Sequence, residues 1–379
     1  MSANDNVKWV RLGDLLEPLE RRNTNKEFDI SSVRGISNTK EIMATKAGVD
    51  EKVIHKFYVI RCGEFIYNPR TTRMGEKVGL GYNNTDSTFL FSFNNLAFKI
   101  KDSAQNLIIP DYLFLNFKRE HFDRFARINS WGSATELFLF SDLCTFQIPL
   151  PSIEVQQELV DIYYGLKSLA EQNEALVETL SMVCEAMVID CKNKYSKVAL
   201  GDYIEETFEQ NINEQYTLDD VRGVSIQKEF ISTKANMDNV PLKKYKIVHN
   251  DMFAFNVNTA RMGDKFAIAL CKNNNYLVSS IYEVFSVKNK NLLIPEYLLT
   301  VFKRDEFDRY VRFNSWGSAR ETFTLSEMRN VKIPLPPIDV QQTIVNIFNC
   351  LEKAKKNASK AREQLNILCP ALIQRAANS

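Results

Sequence analysis

The chain has 379 residues, of which 45% are hydrophobic and 25% charged, and its formal net charge is +1. This length allows two or three domains with sizeable cores. No stretch approaches the ~20 apolar residues of a membrane span, and residues 1–10 lack the apolar run of a signal peptide, so we expect a cytoplasmic protein without a membrane segment. Seven scattered cysteines without a C-x-x-C pair argue against a disulfide framework and a zinc site.

Internal similarity divides the chain into two halves. The offset between matching residues is 188 in the first part of each half and 185 after a three-residue deletion. The matching segments are residues 10–14 (VRLGD) and 198–202 (VALGD), 68–77 (NPRTTRMGEK) and 256–265 (NVNTARMGDK), 129–134 and 314–319 (both NSWGSA), and 148–151 and 333–336 (both IPLP). The period is too long for a solenoid and indicates a tandem duplication of domains.

Each half begins with a mixed part of about 150 residues, as the change in hydrophobic period indicates. Runs rich in β-branched and aromatic residues predict strands at Phe57–Ile60, Glu64–Tyr67 and Thr88–Ile100. The spacing of apolar residues predicts a helix over Asp111–Phe125.

A long helix is predicted after each IPLP segment, because apolar residues then recur at alternating spacings of three and four. The predicted seam positions are Leu159, Ile162, Leu166, Leu169, Asn173, Leu176, Leu180, Val183 and Met187 in the first copy, and Ile344, Ile347, Leu351, Ala354, Ala358, Ala361, Leu365, Leu368 and Leu372 in the second. Such seams need a partner helix.

Charge suggests that these two helices pair with each other. Residues 153–192 carry eight acidic and two basic residues, whereas residues 338–377 carry three acidic and six basic ones. The alternative is that each helix has only a solvated charged face. An antiparallel pair with a seam of ~45 Å would hold two heads about as far apart as one ~34 Å turn of DNA. We expect the helix pair to set the distance between the two heads.

Each half carries the same set of motifs. They are, in order, GEFI at 63–66 leading to Asn68 and Arg73, WGS at 131–133 and IPLPSIEVQQELV at 148–160, repeated as DMF at 251–253, WGS at 316–318 and IPLPPIDVQQTIV at 333–345. These motifs resemble those of the specificity subunits of type I restriction-modification enzymes. The resemblance covers nearly the whole chain, and the twofold IPLP-x-I-x-x-QQ motif is its most specific part.

The resemblance implies an α+β protein with two duplicated mixed α/β target-recognition domains, each followed by a long helix, the helices pairing as an antiparallel coiled coil. The implied parts are target-recognition domains at 1–151 and 193–336 and spacer helices at 152–192 and 337–379. It also implies the partners, namely double-stranded DNA, two methyltransferase subunits on the helices, and restriction or translocase subunits. S-adenosylmethionine, ATP and Mg²⁺ are expected in the partner subunits, and no cofactor or metal is expected in this chain.

The residues themselves do not indicate a catalytic centre. Asn68-Pro69-Arg70-Thr71 lacks the second proline and the aromatic residue of an amino-methyltransferase N-P-P-Y motif, and the chain has no phosphate-binding G-x-x-x-x-G-K-[ST] loop. The three histidines, His55, His121 and His249, are not retained in the repeat. A non-catalytic recognition subunit is therefore expected.

Two loops in each half carry the side chains that DNA recognition requires. Arginine pairs with guanine and asparagine with adenine in the major groove, while hydroxyl and ammonium groups hold phosphates. The first loop supplies Asn68, Arg70, Thr71, Thr72, Arg73 and Lys77, and its copy supplies Asn256, Asn258, Thr259, Arg261 and Lys265. The alternative for this loop is a surface turn with ordinary solvated charges.

The second loop supplies Asn129, Ser130 and Ser133, and its copy supplies Asn314, Ser315, Ser318 and Arg320. Small polar groups and glycine allow a backbone to approach phosphate closely. Arg127 and Arg312 beside these loops would add positive charge. Trp131 and Trp316 are expected to be core anchors, because tryptophan is largely buried in most proteins, and contact with bases is the alternative for them.

The likeness of the two halves predicts related half-sites, and therefore an interrupted, near-palindromic target. Arg70 against Asn258, and Thr72 against Ala260, predict that one or two bases differ. A specificity subunit of a fused restriction and methylation polypeptide would use the same duplicated chain and stays an alternative. A coiled-coil scaffold that binds only proteins is the alternative from a different class, and it predicts no salt-sensitive DNA affinity.

Overall fold

The computed structural model describes residues 7–45, 48–71, 77–133, 135–233, 236–237, 240–260, 263–317 and 320–378, without the side chains of residues 368–370 and 372–378. The chain forms two compact units. One comprises Met1–Gln172 with Asn357–Ser379, and the other comprises Asn173–Lys356.

The elements of the first half are short until its last helix. They are β1 (Lys8–Arg11), α1 (Leu12–Leu15), β2 (Leu16–Pro18), β3 (Arg34–Ile36), β4 (Ile42–Ala44), β5 (Tyr58–Ile60), β6 (Phe65–Tyr67), β7 (Leu80–Tyr82), β8 (Phe89–Phe91), β9 (Leu96–Ile100), α2 (Pro110–Phe117), α3 (Glu120–Ile128), α4 (Phe140–Leu143), β10 (Gln147–Leu150) and α5 (Ile153–Lys194).

The second half repeats this order. Its elements are β11 (Lys197–Ala199), β12 (Ile204–Glu206), β13 (Arg222–Val224), β14 (Phe230–Ser232), β15 (Lys246–Val248), β16 (Met252–Asn256), β17 (Ile268–Leu270), β18 (Tyr276–Val278), β19 (Tyr282–Val287), α6 (Pro295–Phe302), α7 (Asp305–Phe313), α8 (Leu325–Arg329), β20 (Lys332–Pro334) and α9 (Ile338–Asn378).

The sheets of the two units have the same topology. In the first unit a four-stranded sheet has the order β2-β9-β6-β7, and the pairs β1-β10, β3-β4 and β5-β8 surround it. In the second unit the orders are β12-β19-β16-β17, β11-β20, β13-β14 and β15-β18. All these pairings are antiparallel. The duplication inferred from the sequence is therefore a duplication of fold.

Aromatic side chains fill the main core of each unit. Phe65 stacks on Phe98 with ring centroids 5.1 Å apart, and their counterparts Phe253 and Phe285 stack at 5.0 Å. All four side chains are fully buried. Because aromatic residues bury large areas, these clusters dominate the packing energy of both units.

The helix predicted over Asp111–Phe125 is two helices, α2 and α3. The chain is extended at Arg119, where ψ is 141°. Phe117 and Phe122 would lie ~140° apart around one continuous helix. The break lets both rings enter the same core, with centroids 4.8 Å apart. The strand predicted over Thr88–Ile100 is likewise divided into β8 and β9.

A buried glutamine fixes the start of each long helix. Gln156 is fully buried, and its side chain accepts a hydrogen bond from the Ile109 N–H at 2.9 Å and donates to the carbonyl oxygens of Leu107 and Pro151, both at 2.9 Å. Gln341 makes the same three contacts in the second unit. The first glutamine of the repeated QQ motif therefore joins the helix to its head.

The long helices pair along both units. In the first unit Leu365 of α9 packs against the cluster that contains Leu159 of α5, and in the second Met187 of α5 packs against the cluster that contains Ile344 of α9. The beginning of each helix thus meets the end of the other. The predicted α+β protein with duplicated heads and antiparallel long helices is confirmed.

The seam predicted for α9 is confirmed where its burial is described, whereas half of the seam predicted for α5 is wrong. Ile344, Leu351 and three alanines of α9 are buried. On α5 the predicted row of Ile162, Leu169, Leu176 and Val183 is exposed. The neighbouring row faces inward instead, and it consists of Tyr163, Ala170, Val177, Cys184 and Cys191, each buried or half-buried. Two adjacent apolar rows compete on this helix, and the row that contains Ile162 lies outside.

None of the helices within the described ranges combines the length and the apolar character that crossing a membrane requires.

Candidate nucleic-acid interface

The two predicted loops of the first unit form one surface. The Pro69 carbonyl accepts a hydrogen bond from the Phe138 N–H at 2.8 Å, and the Thr71 N–H donates to the Glu136 carbonyl at 3.2 Å. The loop that leaves β6 therefore runs beside the segment that follows the WGS motif.

The second unit has the same arrangement. The Val257 carbonyl accepts from the Phe323 N–H at 2.9 Å, and the Thr259 N–H donates to the Glu321 carbonyl at 3.0 Å. Residues predicted separately as two surfaces are thus brought together in each unit. We call this surface the loop face: residues 68–71 with 128–133 and 135–137, and residues 256–260 with 313–317 and 320–322.

A ring of two backbone hydrogen bonds closes the WGS loop. Trp131 exchanges N–H to carbonyl bonds of 3.1 and 2.9 Å with Leu137, and Trp316 exchanges bonds of the same lengths with Thr322. Gly132 has φ of +145°, and a Cβ there would lie 2.1 Å from the Thr135 carbonyl oxygen. Only glycine fits this position without a shift of the backbone.

Several residues predicted to contact DNA instead stabilise the conformation of the loop face. Ser130 and Asn129 donate to the carbonyls of Ala126 and Phe125 at the end of α3, at 2.6 and 2.8 Å. Their counterparts Ser315 and Asn314 make the same bonds at the end of α7. Thr71 and Thr259 are buried. These six residues position the loops, and their contact with DNA stays a prediction.

Arg70 and Asn258 occupy equivalent positions with different side chains. The N–H of each donates to the side-chain oxygen of the asparagine two residues earlier, Asn68 or Asn256, at 3.0 Å. Each also forms an isolated bridge with the opposite segment, to Leu137 and Thr322 respectively. Both are half-buried. The backbone therefore presents an arginine in one unit where it presents an asparagine in the other.

The predicted basic residues differ in their environment. Lys77 and Lys265 are both exposed, but Lys265 also forms an ion pair with Asp305 and lies 3.5 Å from Asp308. These contacts, the hydrogen bond to Asp305 above all, raise the pKa of Lys265. Ser133 and Arg320 are exposed at the edges of the loop face. Thr72, Arg73, Arg261 and Ser318 lie outside the described residues.

A groove between head and helices lies beside Lys77. It has a volume of about 420 Å³, and its lining includes six basic and three acidic residues. The corresponding groove of the second unit, of about 860 Å³, has six of each. The lining of this groove is therefore more positively charged in the first unit, although the net charge of the chain is only +1.

Trp131 and Trp316 are not core anchors, and that expectation is wrong. Their exposed fractions are 70% and 64%, and the neighbouring side chains of Ile128 and Phe313 are 73% and 79% exposed. The tight loop and the helix end below it hold these side chains outward. Sequence reasoning missed the resulting apolar patch, because it placed tryptophan inside by its usual burial.

Sequence reasoning also missed a buried ion pair beneath each loop face. Lys40 lies 2.6 and 2.7 Å from the carboxylate oxygens of Asp123, and Lys228 pairs with Asp308. Burial lowers the pKa of both ammonium groups, and the carboxylate of each partner opposes this shift. Both pairs were visible in the sequence, because all four residues are retained at the offsets of the repeat.

Within the described ranges no group of three or more histidine, cysteine or acidic side chains is arranged to hold a metal ion.

Comparisons with known proteins agree on one family. A sequence model described as "Type I restriction modification DNA specificity domain" matches residues 193–366. The HindI specificity subunit of a type I restriction enzyme, from Haemophilus influenzae, is 25% identical over 190 residues, which are 49% of this chain and 35% of that protein. The match thus spans about a third of that relative's length.

One solved structure shows a similar fold. The crystal structure of a type I restriction-modification S subunit from M. genitalium superimposes with a TM-score of 0.61 over 99% of this chain and 98% of that chain, at 12% identity. The HsdS subunit of Thermoanaerobacter tengcongensis aligns over 98% of this chain and 96% of that chain, with a TM-score of 0.40 and 17% identity.

Proposed function

We propose that this chain, which belongs to the family of type I restriction-modification specificity subunits, recognises a specific DNA sequence through the loop faces of its two units. The observation that carries the proposal is the repeated loop face. The same backbone hydrogen bonds form the loop face in both units, while the side chain at one equivalent position differs, Arg70 in one unit and Asn258 in the other. A constant scaffold with variable polar side chains suits the reading of base edges.

The proposed target is bipartite and near-palindromic. Each unit would read one half-site, and the likeness of the loop faces supports related half-sites in inverted orientation. Arg70 and Asn258 support a difference at one base. The antiparallel helices would set the distance between the half-sites. We propose that the other residues predicted to contact DNA either bind phosphates or stabilise the loops.

The exposed row of α5 supports docking of methyltransferase subunits on the helices. Val155, Ile162, Leu176 and Val183 are exposed apolar side chains whose spacings are multiples of seven residues. A heptad row of this kind suits a further helix. The acidic surface of residues 153–192 favours a basic partner surface. Two methyltransferase subunits fit a chain with two equivalent halves.

The remaining assignments follow from this role. We propose target-recognition domains at 1–151 and 193–336, spacer helices at 152–192 and 337–379, and a cytoplasmic location. The chain would be non-catalytic. Methylation with S-adenosylmethionine and ATP-driven restriction with Mg²⁺ would belong to the partner subunits.

The test is methylation mapping of a genome in cells that express this chain with a methyltransferase subunit from its own host, against cells with the methyltransferase alone. We expect a new modified motif with two short half-sites around a fixed gap, present only with the chain. If both proteins are soluble and associated but no new motif is found, a protein-binding scaffold replaces this proposal. A specificity subunit of a fused restriction and methylation enzyme would instead yield the motif only with the fused polypeptide.

DNA binding can be tested directly with the purified complex. Affinity for a duplex that carries the motif should fall steeply as salt concentration rises, because basic side chains displace counterions from phosphates. Affinity that does not depend on salt would contradict the proposal.

A further inference from the structure

Each unit exposes a pair of large apolar side chains at the same place on the loop face. The pairs are Ile128 with Trp131, and Phe313 with Trp316. Single exposed apolar residues are ordinary on protein surfaces. Here, however, an adjacent pair is exposed in both copies, although the identity of one member has changed. Adjacent exposed apolar side chains of this size indicate a binding surface.

Hydrogen bonds fix the backbone from which each tryptophan side chain projects. Both backbone polar groups of Trp131 are bonded to Leu137, and the preceding Ser130 is bonded to the end of α3. Gly132 follows in a conformation that a side chain would disrupt. A loop whose backbone is fixed in this way loses little conformational entropy when it binds.

The charge around each pair favours a polyanion as the occupant. Residues 124–133 contain two arginines and no acidic residue, and residues 309–320 contain three arginines and no acidic residue. Arg124 and Arg309 are exposed. Arg127 lies 2.9 Å from Glu136, and Arg312 pairs with Glu321, so the exposed Arg124 and Arg309 carry the positive charge that favours a polyanion.

We propose that Trp131 with Ile128, and Trp316 with Phe313, enter a groove of the DNA duplex and pack against its bases and sugars, one pair in each half-site. Apolar side chains act in this way in proteins that insert them at base steps, while nearby arginines bind the flanking phosphates. This inference rests on the proposed function. It adds an apolar contact to the polar contacts expected from the sequence.

The three tryptophans of the chain allow each site to be observed separately. Trp9, in β1, is also exposed but lies outside the loop face, so it is a matched control. Three variants would each keep one tryptophan and carry phenylalanine at the other two positions. Quenching of their fluorescence by acrylamide is measured for the full chain alone, with the motif duplex, with a scrambled duplex, and with the methyltransferase subunit without DNA.

We expect the motif duplex to shield Trp131 and Trp316 from acrylamide but not Trp9. Trp131→Ala and Trp316→Ala should each weaken binding of the motif duplex about tenfold, the effect of losing one base-aromatic contact. Trp131→Phe should retain most of the affinity, and Trp9→Ala should retain all of it. Circular dichroism and melting temperatures establish that the variants are folded.

Other outcomes would overturn the inference. If the chain binds its motif while both tryptophans stay accessible and the alanine variants bind like the wild type, the inference is wrong and the proposed function stands. If the methyltransferase alone shields them, the pairs form a protein interface instead. If the wild-type chain with its methyltransferase binds no specific duplex, the proposed function itself fails, and this inference fails with it.

Discussion

Lys40 and Asp123 form a buried ion pair that joins the β3-β4 hairpin to helix α3. The ammonium group lies 2.6 Å from one carboxylate oxygen and 2.7 Å from the other, and both side chains are more than nine-tenths buried. Lys40 has φ of +62°, in the left-handed region. The carboxylate also accepts a hydrogen bond from the Val78 N–H at 3.0 Å. Because α3 ends at the WGS loop, this pair supports the loop face from below.

Asp123→Asn should destabilise the protein by about 3–5 kcal/mol, since it leaves the buried Lys40 charge without compensation. Asparagine can still accept the Val78 hydrogen bond, so the loss reports on the ion pair. The free energy of unfolding in urea measures it.

The control for this prediction is a double-mutant cycle with Lys40→Met. The double variant buries no charge at the site, and its destabilisation should be well below the sum of the two single losses. Additive losses would show that the two side chains do not interact.

Gln156→Ala should destabilise the head of the first unit, because it removes the hydrogen-bond partner of the Ile109 N–H and of two carbonyl groups. Each buried group left unsatisfied costs about 1–3 kcal/mol. The matched control is Gln157→Ala on the same turn of α5, where the side chain is exposed and bonds only to Asp161 at 2.8 Å. That change should cost less than about 0.5 kcal/mol. Equal melting temperatures for the two variants would refute the role assigned to Gln156.

Much of the fold could be predicted because the chain repeats itself. The matches at fixed offsets predicted two heads of one topology and a long helix after each IPLP segment. The seam of α5 could not be assigned fully, since Ile162 and Tyr163 begin two adjacent rows of apolar residues. Hydrophobic periodicity cannot decide which of two such rows is covered. The row that begins at Ile162 was predicted to be inside, and it lies outside.

The loop face was predicted only in part for a similar reason. The residue types suited to DNA pointed to residues 68–77 and to the WGS loops. The burial of Thr71 depends on its hydrogen bonds to Glu136, about 65 positions away in the sequence. The exposure of Trp131 depends on its hydrogen bonds to Leu137 within the loop. Local sequence carries no signal for such contacts. The internal repeat did carry a signal for Lys40 and Asp123, which are retained as Lys228 and Asp308.

Gly132→Ala should distort the WGS loop, because the added Cβ would lie 2.1 Å from the Thr135 carbonyl oxygen. We expect a loss of about 1–3 kcal/mol of stability, the range for a strained backbone, and weaker binding of the half-site read by the first unit. Gly165→Ala is the control. It lies on α5 with no atom within 4 Å of its added Cβ, and should raise stability by about 1 kcal/mol. Urea unfolding and duplex binding measure both variants, and unchanged binding by Gly132→Ala would remove the WGS loop from the interface.

Arg70→Asn should change one base of the methylation motif and make its two half-sites more alike. Arg70 and Asn258 start from the same hydrogen-bonded turn, so their side chains should face the same base position in each half-site. Arginine pairs with guanine and asparagine with adenine, and a good pair discriminates against a wrong base by about 1–3 kcal/mol. Methylation mapping of Arg70→Asn should show a guanine position of one half-site replaced or relaxed, and the reciprocal Asn258→Arg should alter the other half-site.

Lys77→Ala is the control for a phosphate contact, and it should weaken methylation at all sites without changing the motif. A motif that is identical for the wild type and both exchanges would show that this position does not read a base, and the difference between half-sites would then have to come from other residues of the loop face.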